Sequence, residues 1–223
     1  MQSSMEMKML QENIDNLRNI LDNLITLSFD QEELMNNFKE INPNDPRFVE
    51  LSQNQLKLKE DGQIIEDSLK ALAQRVFQLK SFINEEIDKM NQYMDESMEA
   101  LQERNQYKAI GKQQFAMSSI NNLALMLNDV LQQMQQQMAD AMGIPKPKNT
   151  PSNNPSISQL QQQLNQQIRQ LKKSGKSGRD LSEELAKMAA EQEKIRRKLQ
   201  ELLKKQQAQP GKNPGEGGED LVE

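Results

Sequence analysis

The sequence predicts an all-α protein: an elongated antiparallel helical hairpin or bundle with coiled-coil character, followed by a small C-terminal helical hairpin. Three observations predict it. Apolar residues recur at steps of three and four over long stretches, the spacing of one buried helix face. Hydrophobic residues make up 35% of the 223 and aromatics only 4%, which suits narrow seams between helices better than a thick globular core. Pro, Gly and Asn gather at a few points that divide the chain into helical units.

Met7, Leu10, Ile14, Leu17, Leu21 and Leu24 repeat at three and four, so residues 4–27 read as a first amphipathic helix. Ser28, with Gln31 three residues on, reads as a capping box opening a short second segment that carries Leu34, Met35, Phe38 and Ile41. Asn42-Pro43-Asn44-Asp45-Pro46 stops it, and Asp45-Pro46 starts another helix with Phe48, Leu51 and Leu58. Gly62 predicts a bend there.

The organising stretch is 65–101. Ile65, Leu69, Leu72, Val76, Leu79 and Ile83 keep a 3.5-residue repeat; Ile87, Met90, Met94, Met98 and Leu101 continue at an 11-residue period. A partner helix, joined to it near 105–111, carries Ala116, Ile120, Leu123, Leu127, Leu131, Met134, Met138 and Met142. The predicted packing and interaction residues are Leu72, Leu79, Ile83, Met90, Met94, Leu123, Leu127, Leu131 and Met134. The first helix would join these two as a third strand of the bundle.

Residues 1–142 are thus predicted as the long bundle. Residues 143–156 (GIPKPKNTPSNNPS) hold four Pro and read as a linker. Residues 157–207 form the small hairpin: Ile157, Leu160, Leu164, Ile168 and Leu171 on one arm, a turn at 174–178, and Leu181, Leu185, Met188, Ile195, Leu199 and Leu202 on the other. Asp180 and Glu183 form a capping box, and Glu183/Lys187, Glu193/Arg197 and Glu201/Lys205 are favourably oriented i,i+4 pairs. The Gly- and Glu-rich tail, 208–223, is predicted disordered.

Composition removes several functions. With no Cys there are no disulfides, thiolate nucleophiles or Cys-based zinc sites; with no His, the usual general base and the commonest transition-metal ligand are missing. The formal charge of -5 argues against a general nucleic-acid binder, and no apolar run is long enough to span a bilayer. The N-terminus has acidic and amide residues where a signal peptide would have an apolar block.

Each remaining motif has a plainer reading. Gly175-Lys176-Ser177 lacks the upstream Gly of a phosphate loop, since residue 170 is Gln, and follows a polar helix where a P-loop follows a strand. The acids Glu85, Glu86, Asp88, Asp95, Glu96 and Glu99 lie off the apolar stripe and read as a solvated face. Lys194, Arg196, Arg197, Lys198, Lys204 and Lys205 are interleaved with acids and read as a salt-bridged exposed face. The Gln-rich runs 132–137 and 161–167 read as the wet side of helices. No catalytic residue, cofactor site or metal site is predicted.

LSFDQEELM (27–35), DPRFVELSQNQLKLKED (45–61), SSINNLALMLNDVLQQMQQQM (118–138) and LNQQIRQLKKSGKSGRDLSEELAKMAAEQEKIRRKLQEL (164–202) together resemble the C-terminal portion of a large bacterial membrane-anchored family, domain of unknown function 4175. DPRFVEL and KKSGKSGRDLSEELAKMAAEQE carry most of the likeness. The resemblance implies a soluble helical region of a longer, inner-membrane-anchored parent in the cell envelope rather than the free cytoplasm. It supplies no activity and no catalytic residues. The function expected is a non-catalytic coiled-coil interaction module, meeting protein partners, a second copy included, through helical seams. The alternative is a holdase-like or adaptor role in which the Met-rich seam binds amphipathic helices.

Overall fold

The computed structural model describes residues 2–80, 83–143, 157–175 and 178–207. They form six helices: α1 (Gln2–Lys39), α2 (Arg47–Ala73), α3 (Ile83–Gln102), α4 (Gln106–Ala141), α5 (Ile157–Ser174) and α6 (Gly178–Gln207), with one 3-10 turn at Phe77–Leu79. Among the described residues there is no strand. The all-α bundle predicted from periodicity is what the chain forms. The proposed linker, apart from Gly143, and the tail lie outside the described residues.

α1 does not break at Ser28. Its 38 residues, about 57 Å long, run straight through. Ser28 is fully buried and donates to Asn121 Oδ1 at 2.8 Å, so the hydroxyl expected to cap a new helix bonds α4 instead. The stop at 42–46 forms as predicted: Asn42 Oδ1 accepts from the Asn44 amide at 2.9 Å, and Asp45 Oδ1 from the Arg47 amide at 2.9 Å. The Asp45 carboxylate is held below its ordinary pKa, chiefly by its bonds from Arg47.

Gly62 produces no bend either; α2 passes through it unbroken. The glycine is buried against α3, and a Cβ built there would lie 3.5 Å from Met94 Sδ and 3.6 Å from Met90 Cε, an ordinary contact. Gly62→Ala is therefore expected to stabilise the protein by about 0.5–1 kcal/mol, the usual helix preference for Ala over Gly. Urea denaturation checks it; a lower midpoint would mean that the methionines cannot accept the methyl group.

The largest departure from the sequence reading lies inside the organising stretch. Residues 65–101 are not one helix. α2 ends at Ala73, and the amides of Arg75 and Val76 both bond Leu72 O at 2.9 Å. Val76 then turns extended, at φ -112° and ψ 94°, a conformation its β-branched side chain favours. No Gly or Pro marks the reversal. Leu72, Val76, Leu79 and Ile83 nevertheless all stay buried, because the turn folds over the end of the core. Ile83, where the apolar period changes, is where α3 begins.

The α3–α4 connection is also tighter than predicted, spanning 103–105, and Gly111 lies within α4. α3 closes with the Asn105 amide bonded to Ala100 O at 2.8 Å and the Arg104 amide to Leu101 O at 3.0 Å. This closure places Arg104 in the left-handed region, φ 54°, where Gly is commoner. Arg104 has other work. Its guanidinium lies 5.3 Å from the Phe48 ring centroid and donates to Pro43 O, tying the two turns at this end of the bundle together.

With three reversals where the sequence marked two, α1–α4 make an up-down-up-down four-helix bundle in which each helix packs on its neighbours and α4 closes back onto α1. Leu17, Leu24, Leu69, Met90, Leu127 and Leu131 fill its interior. α5 and α6 pack on each other as the predicted hairpin, and this lies against α4 and α1. Gly175 takes φ 62° at the turn, a conformation suited to glycine; Lys176 and Ser177 fall outside the described residues.

Candidate interaction site

All nine residues predicted as packing residues are buried. Leu72, Leu79, Ile83, Met90, Met94, Leu123, Leu127 and Leu131 line the bundle interior, and Met134, the most exposed of them, is 4% exposed. Met90 and Met94 rest on Gly62. The bundle encloses Met90, Met94 and Met134, whereas Met98 and Met138 of the same seam are half-buried and Met142, at the end of α4, is exposed.

What the apolar stripes did not announce is polar. Inside the bundle, Gln31 and Gln55 exchange amide hydrogen bonds, each 2.9 Å, and Gln113 Nε2 donates to Gln55 Oε1 at 2.8 Å. One layer thus joins α1, α2 and α4. A helix sliding by a turn would strand these buried amides, each costing about 1–3 kcal/mol when unpaired. The layer fixes register in the way a single buried Asn does in a coiled coil.

A second polar cluster lies between the bundle and the C-terminal hairpin. Gln192 of α6 accepts from Gln114 Nε2 at 2.8 Å and donates to Ser118 Oγ. One turn on, Arg196 pairs with Glu32 of α1, donates to Ser28 Oγ at 3.3 Å and stacks on Phe29, 4.7 Å from its centroid. The Arg196 side chain is 0% exposed and that of Glu32 16%. From α5, Gln161 and Asn165 donate to Asn122 Oδ1 at 2.7 and 3.0 Å, and Asn122 donates to Glu86 at 3.0 Å.

Three residues depart from the sequence reading. Arg196 is no part of an exposed basic face; Lys194, Arg197, Lys204 and Lys205 are exposed as predicted, with Arg197 paired to Glu193. Glu86 is no part of a solvated acidic face. It is 6% exposed and bound by Lys89 at 2.8 Å and by Asn122. Glu85, beside it, is exposed as expected. Gln161 also leaves the wet face of its run and is buried.

Comparison with protein-family models, with curated proteins and with solved structures finds no match.

The charges at the hairpin contact are held at a cost. Burial raises the pKa of the Glu32 carboxyl, with Glu193 adding to the rise, and outweighs the opposing attraction of Arg196, Lys39 and Arg197. Burial likewise lowers the Arg196 pKa, against the pull of Glu32 and Glu193. A carboxyl whose folded pKa is raised contributes stability that is fully present below its unfolded pKa and lost as pH rises through the folded value. Acidification from about pH 7 to pH 4 is therefore expected to relieve the Glu32 site. The difference in denaturation midpoint between the unmodified chain and Glu32→Gln should move in favour of the former as pH falls. A difference independent of pH would show that Arg196 offsets burial fully.

Chemically, this arrangement binds helices to one another. Among the described residues no group of three acidic side chains is placed to hold a metal ion. A cleft of about 740 Å³ opens beside the Arg104 turn. Its charged groups are already engaged: Lys39 with Asn36 at 3.1 Å, Glu103 with Lys108 at 3.2 Å, and Arg104 with Pro43.

Proposed function

We propose that this chain is a non-catalytic structural and interaction module of a bacterial envelope-associated protein, acting through helix–helix contact. One observation carries the reading. The buried amides Gln31, Gln55, Gln113, Gln114 and Gln192 each bond across to a different helix, so the interior polar groups set how helices meet. Chemistry on a substrate would need such groups aimed into an open cavity. The resemblance noted in the sequence supports the envelope setting. The same resemblance assigns anchoring to a longer parent; among the described residues no helix is long and apolar enough to cross a membrane.

The test is crosslinking mass spectrometry on the full-length parent in its native cell. The expected result is a reproducible set of crosslinks from exposed lysines on the outer bundle faces, such as Lys8 and Lys57, to one envelope protein or to a second copy. Crosslinks confined to cytoplasmic proteins would overturn the envelope assignment. A turnover abolished by Glu86→Gln would overturn the non-catalytic one.

A further inference from the structure

The two contact types in this molecule differ in what it takes to open them. The α1–α4 interior is mostly aliphatic, and exposing it forfeits hydrophobic stabilisation in proportion to area. The face under α6 presents Ser28, Gln114 and Ser118 to Gln192 and Arg196, with Asn121 bonded to Ser28 and with Met117, Phe29 and Gly111 beside them. Gly111 leaves room for Leu185, whose Cδ1 would lie 3.9 Å from a Cβ at that position. Polar groups exposed on this face regain hydrogen bonds from water, so the net loss per bond is small. Opening at this boundary is the least costly way for a part of the fold to separate.

The hairpin is equipped to leave as a body, because α5 and α6 pack on each other. Its hold on the bundle is concentrated in Gln192 and Arg196, four residues apart on one face of α6, with Gln161 and Asn165 of α5 on Asn122. Resting on the interaction-module reading for its use, we propose that α5–α6 is a latch that docks and releases as a unit, and that the α1/α4 face it uncovers receives α6 of a second copy. That helix is the occupant the face already fits: a Gln that bridges Gln114 and Ser118, then an Arg that meets Glu32 and Phe29 one turn later. The latch and the second copy compete for one surface.

The chain has no cysteine, so single-cysteine variants report cleanly. Ser118→Cys lies under α6; Leu127→Cys lies in the bundle interior. Thiol labelling of the full chain should be faster at 118 than at 127. Adding Arg196→Ala should speed labelling at 118 by about tenfold to a hundredfold, the range for a lost charged hydrogen bond, and leave 127 unchanged. Arg196→Met, which keeps the aliphatic bulk, should give an intermediate rate. A fluorescent peptide spanning residues 180–205 should bind the Arg196→Ala chain at least about tenfold more tightly than the unmodified chain, and Glu32→Ala should abolish that gain.

Equal labelling rates at 118 and 127, or acceleration of both by Arg196→Ala, would overturn the latch. Failure of the peptide to bind the Arg196→Ala chain would overturn the second-copy occupant. Labelling rates need no partner, so they fail separately from the crosslinking test of the interaction reading.

Discussion

Glu32→Ala is expected to weaken the hold of α6 on the bundle by about 3–5 kcal/mol, the cost of leaving a buried charge unpaired. Arg196→Ala should cost less. The asymmetry comes from exposure: Arg196 has no solvent contact through its side chain, whereas Glu32 keeps 16% and can turn to water when its partner is removed. Replacing both by Met should be close to neutral or stabilising, since the attraction within a buried pair seldom repays the desolvation of both ions. The opposed effects of burial on the two groups point the same way. Hydrogen exchange on α6, read beside urea denaturation of the whole chain, separates local release from global unfolding. A double Met variant as unstable as Glu32→Ala would mean that the pair is a net source of stability.

Leu127→Ala is expected to destabilise the bundle by about 2–5 kcal/mol, through lost transfer energy and the cavity left behind. Leu127 is fully buried in α4, the helix that packs on α1, α3, α5 and α6, so few neighbours are free to collapse inward. At about 2–4 °C per kcal/mol for a chain of this size, the melting temperature should fall by roughly 4–20 °C. Phe77→Ala is the control. Phe77 is larger but 81% exposed, and its loss should change stability by no more than about 0.5 kcal/mol. Equal effects at the two positions would refute the assignment of the core to the α4 seam.

Periodicity made the helical class and the core side chains legible, because burial on one face of a helix writes itself into spacing. It could not find the reversal that begins at 74, after α2 ends. Leu72, Val76, Leu79 and Ile83 remain buried on both sides of that turn, so the stripe runs through it unbroken and nothing in composition marks it. The breaks expected at Ser28 and Gly62 failed for a related reason: both residues answer to neighbouring helices, not to their own backbone. The polar cluster did leave a trace. Ser28 and Gln31 stand between Leu24 and Met35 at seam spacing, Gln55 between Leu51 and Leu58, and Gln192 between Met188 and Ile195. A polar residue filling a gap in an apolar stripe is a candidate for a buried bond. Arg196 fills a gap of the same kind, four beyond Gln192 and three before Leu199, but it stands in a run of cations that reads as surface.

The partners Glu32 and Arg196 lie 164 positions apart. A ribosome adding about 5–20 residues per second releases the first of them about 8–30 s before the second. While it waits, this spot offers the Ser28 hydroxyl and the Glu32 carboxylate, groups that water serves well, with Phe29 and later Met117 as its apolar members. A delay of this length is tolerable where most of the waiting surface is hydrophilic, and α6 can settle onto it late without a long exposure of apolar area.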